Sequence, residues 1–304
     1  MIVRPKENWF RLLFVWNGSV LQSIIPQLTF MAIVSSLAVF SHGRIFGEKI
    51  PLNTAPFTLF GLALAIFLAF RNNASYERFN DARHLWGSAL NATRTLTSQM
   101  LCYLPPDAER RRRVADTLIA VVYALKHQLR QTDSAPDLER LLGRTRADAL
   151  RRKCYKPIAL LDELRRELAG LHGHAAISDT KLWMLDAQLD ELCRTVGGCE
   201  RIASTPIPVA YSVLLHRTVY AYCVLLPFGL VDSTEFFTPL LCVFIAYTLI
   251  ALEAIASEVA DPFGTAPNAL ALDAMTRYIE RSILDLCDRE LPDDVKPVRP
   301  YQLT

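Results

Sequence analysis

Four stretches of this chain are too apolar to face water along their whole length, and their spacing constrains everything between them. Val20 to Phe40 carries no charge and is long enough to cross a bilayer as a helix. Pro56 to Phe70, PFTLFGLALAIFLAF, is also uncharged, yet it covers only about 22 Å at ~1.5 Å per residue, short of the roughly 20 residues a span needs. A third stretch runs from Val209 through Val231, and a fourth, Phe236 to Ala256, holds one acid, Glu253. They pair into two hairpins, about 20–70 and about 209–256, with short connections at 41–55 and 232–235. Pro26, Pro227 and Pro239 kink or begin these spans, which membrane helices accept where neighbours satisfy the freed backbone groups.

With 51% hydrophobic and 21% charged residues over 304 positions, the chain reads as a membrane protein with a large wet portion. Its 33 basic and 31 acidic residues balance too closely for a nucleic-acid binder, and no basic stripe with interleaved aromatics appears. Arg110 to Arg113 is the densest basic run and reads as a solvated helix face ahead of a lipid-headgroup patch. Seven scattered cysteines without CxxC spacing indicate neither a disulfide framework nor a zinc knuckle, and are expected as buried or free thiols in a reducing compartment. The first residues lack a cleavable signal pattern. Arg4, Lys6 and Arg11 precede the first span, Arg71, Arg78 and Arg83 follow the second, and Arg201 precedes the third. The positive-inside bias therefore puts both termini and residues 71–205 in the cytoplasm.

That wet portion, from Ala74 to about Cys199, reads as helical, with breaks at 105–106, 133–136, 170–173 and 197–198. In Lys181 to Arg194, KLWMLDAQLDELCR, the residues Leu182, Leu185, Leu189 and Leu192 share one face. Strand alternation is absent, so the fold class is all-α.

Within the short apolar stretch, Leu62, Ile66 and Phe70 recur at i, i+4 and i+8 and drift only about 40° around a helix. Such a stripe either packs or lines something. It breaks without a linker into RNNASYERF, where Arg71 either anchors at the membrane interface or meets water, a carboxylate or a passing ion. Glu253 and Glu258 read as a hydrated helix end, with an ion site as the sharper alternative. Enzyme readings find no support: G-x-S-x-G, Walker, G-x-G-x-x-G and H-E-x-x-H patterns are missing. His172-Gly173-His174 has no nearby third ligand and reads as an exposed turn. No catalytic residue, metal or cofactor is indicated.

The polar box FRNNASYERFNDARHLWG (Phe70 to Gly87), with Thr205-Pro206-Ile207-Pro208 before the second hairpin and Asp261-Pro262-Phe263-Gly264 after it, resembles a bacterial bestrophin. The similarity in order and spacing runs from the N-terminal basic segment to about residue 285. It implies a single channel subunit over 1–304, with membrane hairpins at about 20–70 and 209–256 and a cytoplasmic helical region at about 71–205 and 257–304. It further implies a homopentamer around a central pore, with four membrane-crossing segments per subunit, in the bacterial inner membrane. In that family the second span builds a narrow apolar neck, and the matching positions are Leu62, Ile66 and Phe70. A ring of this kind blocks ions by dewetting and conducts when it widens. A second constriction, the cytoplasmic aperture, matches Thr180. Many members carry a bulky aliphatic residue there, so Thr180 departs from the pattern and implies a wetter exit. Asp179 beside it reads as the cap of a helix starting at Lys181, or else as a ring of negative charge.

Animal members follow Pro-Phe-Gly with acidic residues that clasp calcium, whereas this chain has Thr265 to Leu270 and no carboxylate until Asp273. Calcium gating through this segment is therefore not expected. The function implied is passage of small monovalent ions, with sodium favoured and chloride as the alternative. A reading from another class is a non-conducting membrane scaffold that uses 71–205 to hold a partner. The expected partners are further copies of the chain, the lipid bilayer and the permeant ions. Alanine at Leu62, Ile66 or Phe70 is expected to raise conductance, and alanine at Leu59 or Phe67, off that stripe, mainly to disturb packing.

Overall fold

The polarity of the chain changes after Phe70, but the helix does not stop there: a single α-helix runs over Thr54–Tyr103, 50 residues and about 75 Å long. It ends where Pro105 and Pro106 forbid continuation. The computed structural model describes residues 1–3, 8–45, 48–49 and 54–304. Arg4 and Lys6, counted above in the charge bias, lie outside the described residues.

In chain order the elements are α1 (Trp9–Leu12), α2 (Leu21–Phe40), the antiparallel pair β1 (Arg44–Ile45) and β2 (Glu48–Lys49), and the long helix α3 (Thr54–Tyr103). Then follow α4 (Ala108–Arg130), α5 (Ala135–Leu142), α6 (Arg144–Arg151), α7 (Lys156–Gly173) and α8 (Asp179–Ser204). The chain continues with α9 (Val209–Thr234), α10 (Thr238–Val259) and α11 (Leu272–Leu286). The fold is all-α, and apart from that two-residue pair the described residues add only isolated bridges. Two units form: one from residues 4–79 and 206–262, the other from 1–3, 80–205 and 263–304.

In the first unit α2 packs on α9 and α10, which pack on each other. Ile24, Met31, Leu64, Leu68, Val219, Leu226, Cys242 and Ile250 form its core. Its outside is apolar too, with Ile33, Leu37, Phe40, Leu214, Leu240 and Phe244 all exposed, an arrangement water would penalise. Leu21–Phe40, the helix from Ala55 onward and the stretch Val209–Val259 are long and apolar enough to cross a membrane. Pro26 and Pro227 lie inside α2 and α9, while Pro239 sits in the first turn of α10, where its missing N–H costs nothing. The connection expected at 232–235 is tighter than its sequence suggests. Helix α9 runs through Thr234, and one 3-10 turn, Glu235–Phe237, leads into α10.

In the second unit α4 is the central element, packing on α5, α7, α8 and α11. Its buried run from Thr117 to Lys126 is unbroken, as befits a helix covered on all sides. The arginine run opens this helix, with Arg112 and Arg113 exposed as a solvated face requires and Arg110 and Arg111 half-buried. Arg113 Nη2 binds Glu167 Oε1 at 2.7 Å, Arg111 Nη2 donates to the Leu101 carbonyl at 3.2 Å, and the Asp107 carboxylate caps the helix at the Arg110 N–H. Leu185, Leu189 and Leu192 are buried as the α8 pattern predicts, with Leu182 only partly so.

The expected helix breaks are met unevenly. Helix α8 passes straight through Gly197-Gly198. A Cβ at Gly198 would come within 2.7 Å of Leu85 Cδ2, so this glycine serves close packing and not chain reversal. The break expected at 170–173 is present at its far end: α7 includes Gly170 and ends at Gly173, and α8 begins at Asp179. Conversely, Gly143 at φ +77° separates α5 from α6, a break the sequence reading passed over.

Candidate functional site

The first half of α3 has two faces. Leu64, Leu68, Arg71 and Ser75 are buried, at i, i+4, i+7 and i+11. On a helix of 3.6 residues per turn, the mean direction of Leu62, Ile66 and Phe70 lies about 170° from that stripe. All three are exposed, at 61%, 49% and 68%. The stripe is therefore not internal packing within the subunit. Leu59 does not lie off this stripe as expected: three residues before Leu62, it sits only about 20° from the centre of the face and is equally exposed. Phe67, about 100° round, does lie off it.

Phe67 faces a groove of about 730 Å³ between α3 and α9, walled by Phe60, Phe67, Phe70, Tyr211 and Leu214, with Arg71 at its edge. Leu62 and Ile66 take no part in it.

Arg71 meets a carboxylate. Its Nη1 donates to Glu253 Oε1 on α10 at 3.0 Å, and the side chains are 6% and 15% exposed. Glu253 is thus not a hydrated helix end. His216 Nδ1 stands 3.8 Å from its other oxygen, with the imidazole against the Tyr220 ring at 4.4 Å between centroids. A guanidinium beside an apolar stripe is tolerable only with such a partner, since an unpaired buried charge costs several kcal/mol.

Thr180 is exposed in the first turn of α8. The cap of this helix is Ser178, whose hydroxyl accepts from the Lys181 N–H at 3.5 Å, so Asp179 is the first helical residue and not the cap. Asp179 Oδ1 instead meets His172 Nε2 at 2.5 Å. His174 caps the end of α7. No cluster of three metal-ligating side chains occurs among the described residues.

Asp273, the first acid after the Pro-Phe-Gly element, is already occupied. Lys126 Nζ lies 3.1 Å from one oxygen and Arg130 Nη1 2.6 Å from the other, while the same guanidinium reaches the carbonyls of Phe263 and Leu270. Burial pushes this carboxyl up, but Lys126 and Arg130 outweigh it and hold it below the usual carboxylate range.

A profile of the bacterial/fungal bestrophin proteins matches residues 1–285. The chain belongs to this family. This bestrophin is 42% identical, over the full length of both chains, to a voltage-dependent anion channel-forming protein of Ralstonia nicotianae. It is 39% identical, again over both full lengths, to a voltage-dependent anion channel-forming protein of Escherichia coli K12. The crystal structure of a bacterial bestrophin homologue from Klebsiella pneumoniae superposes with a TM-score of 0.85 at 43% identity, covering 88% of this chain and 99% of that one. Family and fold are those of a membrane ion channel and not of an enzyme.

The sequence reading found the exposed stripe through its period. It missed the partner of Arg71, because that partner lies 182 residues away. The available signal was a cation flanking an apolar stripe and a single acid in the last apolar segment.

Proposed function

We propose that five copies of this bestrophin surround a pore in the bacterial inner membrane and pass small monovalent ions, sodium above chloride. The observation that carries this reading is the face of α3: an exposed apolar stripe, diametrically opposite the buried one, on a helix that continues unbroken into polar sequence. Helix α2, the first half of α3, α9 and α10 cross the bilayer, and both termini and residues 71–205 are cytoplasmic. Rings of Leu62, Ile66 and Phe70 form the neck, which gates by dewetting. Thr180 lines a wetter cytoplasmic aperture. No calcium is required, because Lys126 and Arg130 already occupy Asp273.

Anion permeation is the second reading, and the names of the Ralstonia and Escherichia relatives favour it. Purified protein in planar bilayers under asymmetric sodium chloride decides between them by the sign of the reversal potential. Leu62→Ala, Ile66→Ala and Phe70→Ala are each expected to raise conductance, with Phe67→Ala as the off-face control. A monomer without flux, unchanged by the triple alanine substitution, would point to a non-conducting scaffold.

A further inference from the structure

Three charged residues follow the stripe on α3 within the same unit, Arg71, Glu77 and Arg78, and the fold treats them unequally. Arg71 is neutralised by Glu253. Arg78 turns to the end of α10, where its Nε donates to the Ala260 carbonyl at 2.7 Å. Both guanidinium groups are therefore drawn toward α10 and away from the exposed face.

Glu77 lies on that face. Seven residues past Phe70 and eleven past Ile66, it sits about 20° from the centre of the Leu62, Ile66, Phe70 stripe and about 10 Å farther along the helix. Asn73 precedes it by one turn, and both side chains are exposed. Glu77 pairs with no cation among the described residues. The stripe thus changes from three apolar residues to an amide and then a carboxylate, with both neighbouring positive charges removed from it.

We propose that Glu77 determines the charge preference of the channel, five carboxylates ringing the cytoplasmic side of an uncharged neck. This rests on the pore reading of α3. Apolar rings repel both ion signs through dehydration and have no means of telling them apart by charge. A ring of one sign beside them concentrates monovalent cations and depletes anions, by tenfold or more where the walls are of low dielectric.

The experiment compares wild type, Glu77→Gln, Glu77→Lys and Ile66→Ala in planar bilayers under a sodium chloride gradient. Glu77→Gln, which is nearly isosteric and keeps the test usable where the lysine variant fails to assemble, is expected to lower the sodium-to-chloride permeability ratio by roughly tenfold. Glu77→Lys is expected to reverse the preference. The preference of the wild type is expected to weaken in ~1 M salt, where the screening length falls to about 3 Å. An unchanged reversal potential in Glu77→Gln, with Ile66→Ala still raising conductance, overturns the proposal and leaves the pore reading standing. A chloride-preferring wild type overturns it as well. Currents indifferent to both Ile66→Ala and Glu77→Gln overturn the pore reading together with the proposal.

Discussion

Arg71 and Glu253 form the most consequential single contact in the apolar unit. Removing one partner leaves the other buried and uncompensated, so Arg71→Gln or Glu253→Gln alone is expected to destabilise each subunit by about 3–5 kcal/mol. The double variant Arg71→Met, Glu253→Met replaces the pair with apolar contacts and is expected to recover most of that loss, read as the melting temperature of the detergent-solubilised protein. Asp273 gives a pH-dependent counterpart in the second unit. Its carboxyl is held below its unfolded value, so its contribution to stability is present above about pH 4 and is lost as pH falls through the lower folded value. Asp273→Asn is expected to flatten that acid limb, seen as a smaller drop in melting temperature between pH 5 and pH 3. Neither contact was legible in the sequence, where each acid looked like an isolated residue, because both depend on cations brought in from distant helices.

The element scale shows where sequence patterns are sound and where they mislead. The period of Leu62, Ile66 and Phe70 located the exposed face of α3, and Pro105-Pro106 marked its end, because both signals act locally on one helix. The polar box after Phe70 changes the surroundings of α3 and not its course, since polarity does not decide whether a helix continues. Gly197-Gly198 looked like a turn: a glycine pair permits reversal, but a packed partner also demands small residues. The adjacent glycines therefore predict opposite outcomes. Nothing lies within 4 Å of a Cβ at Gly197, so Gly197→Ala is expected to stabilise α8 by about 0.5–1 kcal/mol. Gly198→Val drives into Leu85 and is expected to cost about 1–3 kcal/mol. Denaturant unfolding of the two variants checks the sign of each.

For the whole molecule, the expected assembly is a pentamer, and native mass measurement in detergent reads its stoichiometry directly. Its currents are expected to be the same in micromolar calcium and in chelator, since Asp273, the first carboxylate after the Pro-Phe-Gly element, is held by Lys126 and Arg130. Arg130→Ala is expected to loosen that loop, measured as faster amide exchange over 263–273. The tie between Arg71 and Glu253 bears on how such an assembly opens. It clamps α3 to α10 one residue beyond Phe70, so widening the neck by turning the helices breaks one buried pair per subunit, roughly 3–5 kcal/mol each. A side-chain flip of Phe70 or Leu62 through an unfavourable rotamer costs only about 0.5–1.5 kcal/mol and needs no backbone motion. On the pore reading proposed above, the neck is then a set of hinged leaves on fixed posts, and the currents are expected to flicker on the timescale of side chains while the scaffold stays still.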